Sequence, residues 1–224
     1  MSRLFKIFEG GLWKVYHWAY GPVLDRLLPR IEMFKEVLKV VDTSIGQKIL
    51  DAGCGNGDFS ETLARNGAKV IGVDNNDDFA KTAKTKSQSV ELIKSNLDEP
   101  LPISDNSINS IVCINVLYLL SKYISHNDNR IPGALIEFDR VLLRGGKIVI
   151  ITPQKPGYSQ LAIANDHFRL SKARHGFLYT YFLLAIYIVP ILVVIVANWF
   201  IQLFAKNNIY SFHTKQELEG YFVT

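Results

Sequence analysis

Eight residues, DAGCGNGD from Asp51 to Asp58, set three glycines at alternate positions between two carboxylates. Glycines at a strand-to-helix turn let a ligand approach the backbone closely. A dinucleotide fingerprint has the spacing G-x-G-x-x-G, whereas this loop reads Gly53-x-Gly55-x-Gly57, with Asp58 where the third glycine would fall. The charges argue further against a pyrophosphate. A phosphate arriving at a helix N-terminus needs bare N–H donors, and here it would meet Asp51 and Asp58. A cationic ligand suits the same place. S-adenosylmethionine, with a sulfonium, an ammonium and no phosphate, is the cofactor that the pattern predicts. Asp74, about 20 residues on, is placed for a ribose diol, a role that serves either cofactor. Taken alone, the loop is also compatible with a tight turn that binds nothing.

The elements that must hold this loop follow from the apolar pattern. KILDAG (48–53), KVIGVD (69–74), VELIK (90–94), SIVCIN (110–115) and KIVIIT (147–152) read as strands. DFSETLARNGA, DDFAKTAKTKS and ALIEFDRVLLRGG read as helices between them, the first and last ending at glycine, and a further helix is expected over Ile31 to Val41. Strands apolar on both faces and joined by helical crossovers make an α/β fold with a doubly wound, Rossmann-like parallel sheet. Residues 3–20 mix Phe5, Phe8, Trp13, Tyr16, Trp18 and Tyr20 with Arg3, Lys6 and Lys14, the composition of an interfacial helix or of one packed on the core. The expected organisation is an N-terminal helical segment (1–45), a cofactor-binding core (46–153), a connecting segment (154–176), an apolar helix or hairpin (177–205) and a C-terminal helix returning to the core (206–224).

Composition narrows the classes. The 25 Lys and Arg against 21 Asp and Glu give a net charge of +4, with bases near the N-terminus and around the apolar stretch and no dense tract. That suits an anionic membrane surface better than nucleic acid. Two cysteines, Cys54 and Cys113, in a glycine loop and an apolar strand, argue against a disulfide framework and for a reducing compartment. The N-terminus lacks the pattern of a signal peptide.

Four signals occur in order: ILDAGCGNG, VIGVD, SNLDEPLPISDNSINSIVCINVLYLL and ALIEFDRVLLRGGKIVIITP. With them the chain resembles the class I S-adenosylmethionine-dependent methyltransferases, especially the branch of quinone, sterol and phospholipid methyltransferases, over roughly Gln47 to Pro153. The resemblance implies that Asp51, Gly53, Cys54 and Gly55 hold the methionine end of the cofactor. It places the ribose hydroxyls on Asp74 and the adenosine beside Asn75. Asn96 stands where the family has an acid for the adenine amino group, with Leu97 on the ring, and Asn115 floors the site. Ile108 and Asn109 replace the family's Phe-Asp. Members commonly close the sheet with an antiparallel pair after a helix like HTKQELEGYF, so either the sequence is a fragment lacking those strands or something else covers the edge.

FLYTYFLLAIYIVPILVVIVANWFIQLFA, Phe177 to Ala205, has no charged residue. Its length exceeds the roughly 20 residues of one membrane span. The expectation is a membrane-embedded helix, preferably a hairpin bent at Pro190, with flanking Arg169, Lys172, Arg174 and Lys206 on the cytoplasmic side. A base is needed only if the acceptor must lose a proton. Tyr118, His126, His17 and Tyr20 are candidates, each better explained as a packing tyrosine or an exposed loop histidine. His167, His175 and His213 lack ligand spacing, and no metal is expected. The functional expectation is a membrane-associated methyltransferase, its catalytic domain facing the cytoplasm, acting on a membrane lipid or other lipophilic acceptor such as a phospholipid amine or quinone precursor. The alternatives are an anchored enzyme for a small soluble acceptor, and an idle methyltransferase-like fold that binds a membrane partner.

Overall fold

The computed structural model describes residues 11, 15, 28–75, 90–120, 133–152, 160–206, 215 and 216. The expected helices at 3–20 and 77–87 lie outside them, apart from residues 11 and 15, and of the expected C-terminal helix only 215 and 216 are described, both helical. The chain divides into two units, Glu36–Gly157 with Asn207–Thr224, and Met1–Lys35 with Tyr158–Lys206.

The first unit carries a five-stranded parallel sheet of β1 (Lys48–Ala52), β2 (Lys69–Asp74), β3 (Val90–Lys94), β4 (Ile108–Ile114) and β5 (Leu142–Ile151), in the order β3-β2-β1-β4-β5. Central strands covered on both faces must be apolar at successive positions. Ile49, Leu50 and Ala52 of β1 and Ile111, Val112 and Cys113 of β4 are accordingly inaccessible to solvent. Helix α2 (Asp58–Arg65) follows β1 and buries Phe59, Ser60 and Leu63. Its chain then turns at Gly67, whose φ of 112° favours glycine. Helix α1 (Leu28–Val40) begins earlier than Ile31, because Pro29 falls within its first turn, where a missing N–H costs nothing. A short α3 (Leu117–Leu120) and α4 (Gly133–Val141) also belong to this unit, whereas α1 is divided between the two units at Lys35. Helix α4 stops at Val141 rather than at the glycine pair. Leu142 already pairs with Ile108, and an irregularity then lets Lys147 face Ser110. Asn109, one of the two departures noted in the sequence, accepts the backbone N–H of Lys48 at 2.8 Å and so secures the start of β1. Ile108, the other, is fully buried.

Arg140 pins α4 to the segment that enters β4. Its guanidinium donates to both Glu137 oxygens (2.9 and 2.6 Å), to Asp105 Oδ1 (2.5 Å) and to the carbonyls of Ile103 (2.8 Å) and Leu101 (3.0 Å). Glu137 in turn accepts the N–H of Leu101 at 2.8 Å. Arg140→Ala is expected to cost about 2–3 kcal/mol in urea unfolding, and Arg140→Lys less, since only the fork reaches all these acceptors. The Arg140 hydrogen bonds, foremost, hold the Glu137 carboxyl below its ordinary value of 4.5. A lowered folded pKa stabilises above the ordinary value and loses that contribution as pH falls through the lowered one. Acid titration of stability should therefore be shallower in the alanine variant below about pH 4.5.

In the second unit, α5 (Gln160–His175) and α6 (Phe177–Lys206) form a helical pair. The chain reverses at Gly176, with φ 82°, and α6 runs unbroken through position 190. A hairpin bent at Pro190 is thereby corrected. Ser171 and Thr180, both buried, join the helices through hydroxyls 2.9 Å apart, and Thr180 also donates to Gly176 O at 2.8 Å. Among the described residues no helix is long and apolar enough to cross a membrane. This overturns the membrane-embedded helix. With it go the membrane association of the function, the membrane and lipid partners, and the cytoplasm-facing membrane localisation drawn from that helix. The physical reason is that a charge-free run is a property of composition, which does not by itself fix what its side chains face: Leu178, Phe182, Leu192 and Trp199 stand exposed on this helix.

Candidate functional site

The sheet reverses its winding between β1 and β4, and the carboxyl ends of these strands form the crevice in which open parallel sheets bind ligands. The glycine loop lies there, between β1 and α2. Its backbone donors are already committed. Gly53 and Cys54 both donate to Val73 O, at 2.8 and 3.0 Å, Gly57 donates to Cys54 O at 2.9 Å, and Gly55 donates to Asp74 Oδ2 at 3.0 Å. Asn56 bridges to Asp58 through its amide at 2.6 Å. The first turn of α2 adds Asp58 and Glu61. A phosphate-binding loop needs the reverse, open N–H groups and no carboxylates.

The carboxylates are fixed by their surroundings. Asp51 is 3% exposed and accepts the hydroxyl of the fully buried Ser60 at 2.5 Å. A buried carboxylate requires a hydrogen-bond partner of this kind. Burial first, and the charge of Asp51 second, raise the thiol pKa of Cys54 and push that of Cys113 up to about 12, so both stay protonated. Cys54 tucks its side chain over Gly72 of β2, where an added Cβ would lie 3.0 Å from its sulfur. Its backbone, rather than its thiol, therefore borders the loop. At Gly55, φ 53°, an added Cβ would meet nothing within 4 Å, so the loop opens outward at this point.

The methyltransferase domain family matches residues 50–150. Among solved structures, the complex between the Haloferax volcanii Trm112 methyltransferase activator and a methyltransferase aligns with a TM-score of 0.51 at 18% identity, over 63% of this chain and 62% of that one. The core has the fold of the class I S-adenosylmethionine-dependent methyltransferases. A demethylmenaquinone methyltransferase of Tropheryma whipplei is 30% identical over 113 residues, 50% of this chain and 44% of that protein. One of Oceanobacillus iheyensis is 31% identical over 137 residues, 56% of this chain and 54% of that protein. The chain spans about half the length of the curated relatives it matches.

The donor set fits S-adenosylmethionine, the cofactor of the class I methyltransferase fold: carboxylates for cationic groups, and a loop in which the N–H groups of Gly53, Cys54, Gly55 and Gly57 are spent. The structure gathers Asp51, Gly53, Cys54, Gly55, Asp74 and Asn115 at the carboxyl ends of β1, β2 and β4. Asn75, exposed, follows β2. Asn96 follows β3 and is turned by a local network, accepting the N–H of Asp98 at 3.2 Å and donating to Glu99 at 3.1 Å, while Leu97 is buried in the core. Tyr118, on α3, is 5% exposed, the burial of a packing residue. His17, Tyr20 and His126 lie outside the described residues. No cluster of His, Cys, Asp and Glu able to hold a metal occurs among the described residues. Sequence reasoning missed three supporting residues, Ser60, Gly72 and Val116. Ser60 alone left a trace, as a small polar residue on the otherwise apolar inner face of α2.

Proposed function

We propose that the chain transfers the methyl group of S-adenosylmethionine to an acceptor seated beyond the carboxyl ends of β1 and β4. The observation that carries this reading is the inverted loop chemistry, with backbone donors consumed internally and carboxylates, not bare N–H groups, bordering the loop. When bound, the cofactor supplies a methyl group activated by its sulfonium. Asp51 and the backbone of Gly53, Cys54 and Gly55 take the methionine end, Asp74 and Asn75 the ribose side, Asn96 and Leu97 the adenine, and Asn115 the floor. Holding donor and acceptor near attack geometry is the main contribution required of these residues, because charge disappears rather than develops as the methyl moves. The relatives are named for demethylmenaquinone, which makes it the first acceptor to assay. Calorimetry should show binding of S-adenosylmethionine and none of NADH, and labelled methyl should pass to the acceptor. NADH uptake without S-adenosylmethionine binding would overturn the reading.

The adenine side gives a counterintuitive expectation. Asn96→Asp brings the chain closer to the family pattern, yet it sets a carboxylate beside Glu99, 3.1 Å from the present amide nitrogen. Repulsion at this exposed pair should weaken cofactor binding by about two- to fivefold, and Glu99→Gln in the same chain should restore it.

A further inference from the structure

We infer that Val116 is a positioning residue for the glycine loop, set in place by a left-handed turn at Asn115; the inference rests on reading that loop as the cofactor's seat. Asn115, with φ 57°, is one of two described non-glycine residues at positive φ. Asparagine tolerates that conformation better than most residues, and strain of this kind gathers beside functional sites. Its N–H donates to Ile151 O at 2.7 Å, so β5 anchors the turn. The turn delivers Val116 onto Gly53. A Cβ added at Gly53 would lie 2.2 and 2.9 Å from the two Val116 methyl carbons, so the isopropyl group fills the space that the bare glycine leaves.

Gly53 is therefore gripped from two directions. Its N–H is held by Val73 O at the end of β2, and its α-carbon is covered by Val116 beyond the end of β4. Valine is branched at Cβ and stiff at χ1, which makes it a firm stop. It also packs against the buried core, so its position is set from behind. The loop's height over the crevice is thus fixed by a side chain that makes no demand on the cofactor.

Cys54, next to Gly53, reports on this grip without any cofactor. Its alkylation by iodoacetamide can be followed by mass spectrometry, with the fully buried Cys113 as internal reference. Val116→Ala is expected to speed Cys54 alkylation about fivefold or more and to raise the dissociation constant for S-adenosylmethionine about tenfold, the scale of a truncated, partly buried valine. Val116→Thr keeps the branched shape and should behave as the parent in both measurements. Should the alanine variant unfold, Val116→Leu, one methylene larger and branched at Cγ instead of at the Cβ beside Gly53, keeps an apolar side chain on the core and carries the same expectation. Unchanged Cys54 reactivity in a folded Ala or Leu variant would overturn the inference. A parent chain that binds no S-adenosylmethionine would instead overturn the proposed function, while the Cys54 rates still decide the role of Val116.

Discussion

Gly53→Ala is expected to raise the dissociation constant for S-adenosylmethionine about 100-fold. Two independent costs combine there. A left-handed φ of 78° disfavours any L side chain by about 1–2 kcal/mol. The new Cβ would also fall 2.2 Å from a Val116 methyl carbon, and overpacking of this kind adds about 1–3 kcal/mol. Val116 cannot swing aside freely, since its rotamers are few and the core lies behind it. The backbone of the loop must yield, and it is the backbone that receives the ligand. Calorimetry on the folded variant checks this, with circular dichroism confirming the fold; an affinity within about threefold of the parent would show that the loop's position does not govern binding. The contrast is Gly55→Ala, where φ is also positive but an added Cβ meets nothing within 4 Å, so that variant bears the conformational cost alone.

The loop was legible in the sequence because its signal is local. Alternate glycines, flanking carboxylates and an apolar run before them all sit within a dozen residues, and periodicity alone supplied the five strands and their parallel pairing. The expectation of a class I methyltransferase core is met by the fold and the family match. What could not be read was the set of contacts between segments distant in sequence. Ser60 matters through a hydrogen bond to a strand nine residues earlier, and Val116 through contact with Gly53. Neither residue type announces chemistry. Asn109, a departure from the family pattern without visible purpose in the sequence, proves to hold the N–H of Lys48, 61 residues away.

The apolar stretch shows the other limit. Its helical form follows from composition, but an apolar composition does not say what the side chains face, and Leu178, Phe182 and Trp199 are exposed here. Pro190 suggested a bend because proline removes one backbone hydrogen bond. The reversal falls at Gly176 instead, where a residue free to adopt φ 82° ends α5 and Thr180 caps the glycine's carbonyl. Glycine at a helix terminus outweighs proline in a helix interior as a place to turn.

Asp51→Asn separates the two reasons why this loop should refuse a phosphate and take a cation. The amide can still accept the Ser60 hydroxyl, so the fold should survive, but the Asp51 charge is gone. A hydrogen bond from a cationic group to a buried carboxylate contributes about 1.5–3 kcal/mol, so S-adenosylmethionine should bind about 10- to 100-fold more weakly. The demethylated product keeps the ammonium and lacks the sulfonium. An equal loss for both compounds places Asp51 on the ammonium, whereas a larger loss for S-adenosylmethionine would move it to the sulfur. Removing the charge also removes one of the influences that raise the Cys54 pKa, so alkylation of that thiol at alkaline pH should quicken. NADH should still fail to bind, because Gly53, Cys54, Gly55 and Gly57 remain committed to Val73, Asp74 and Cys54. If the asparagine variant did take up NADH, charge alone would have been the barrier and the spent donors irrelevant. If it kept full affinity for S-adenosylmethionine, Asp51 would be a strut for Ser60, and the carboxylate argument for the cofactor would rest on Asp58, Glu61 and Asp74.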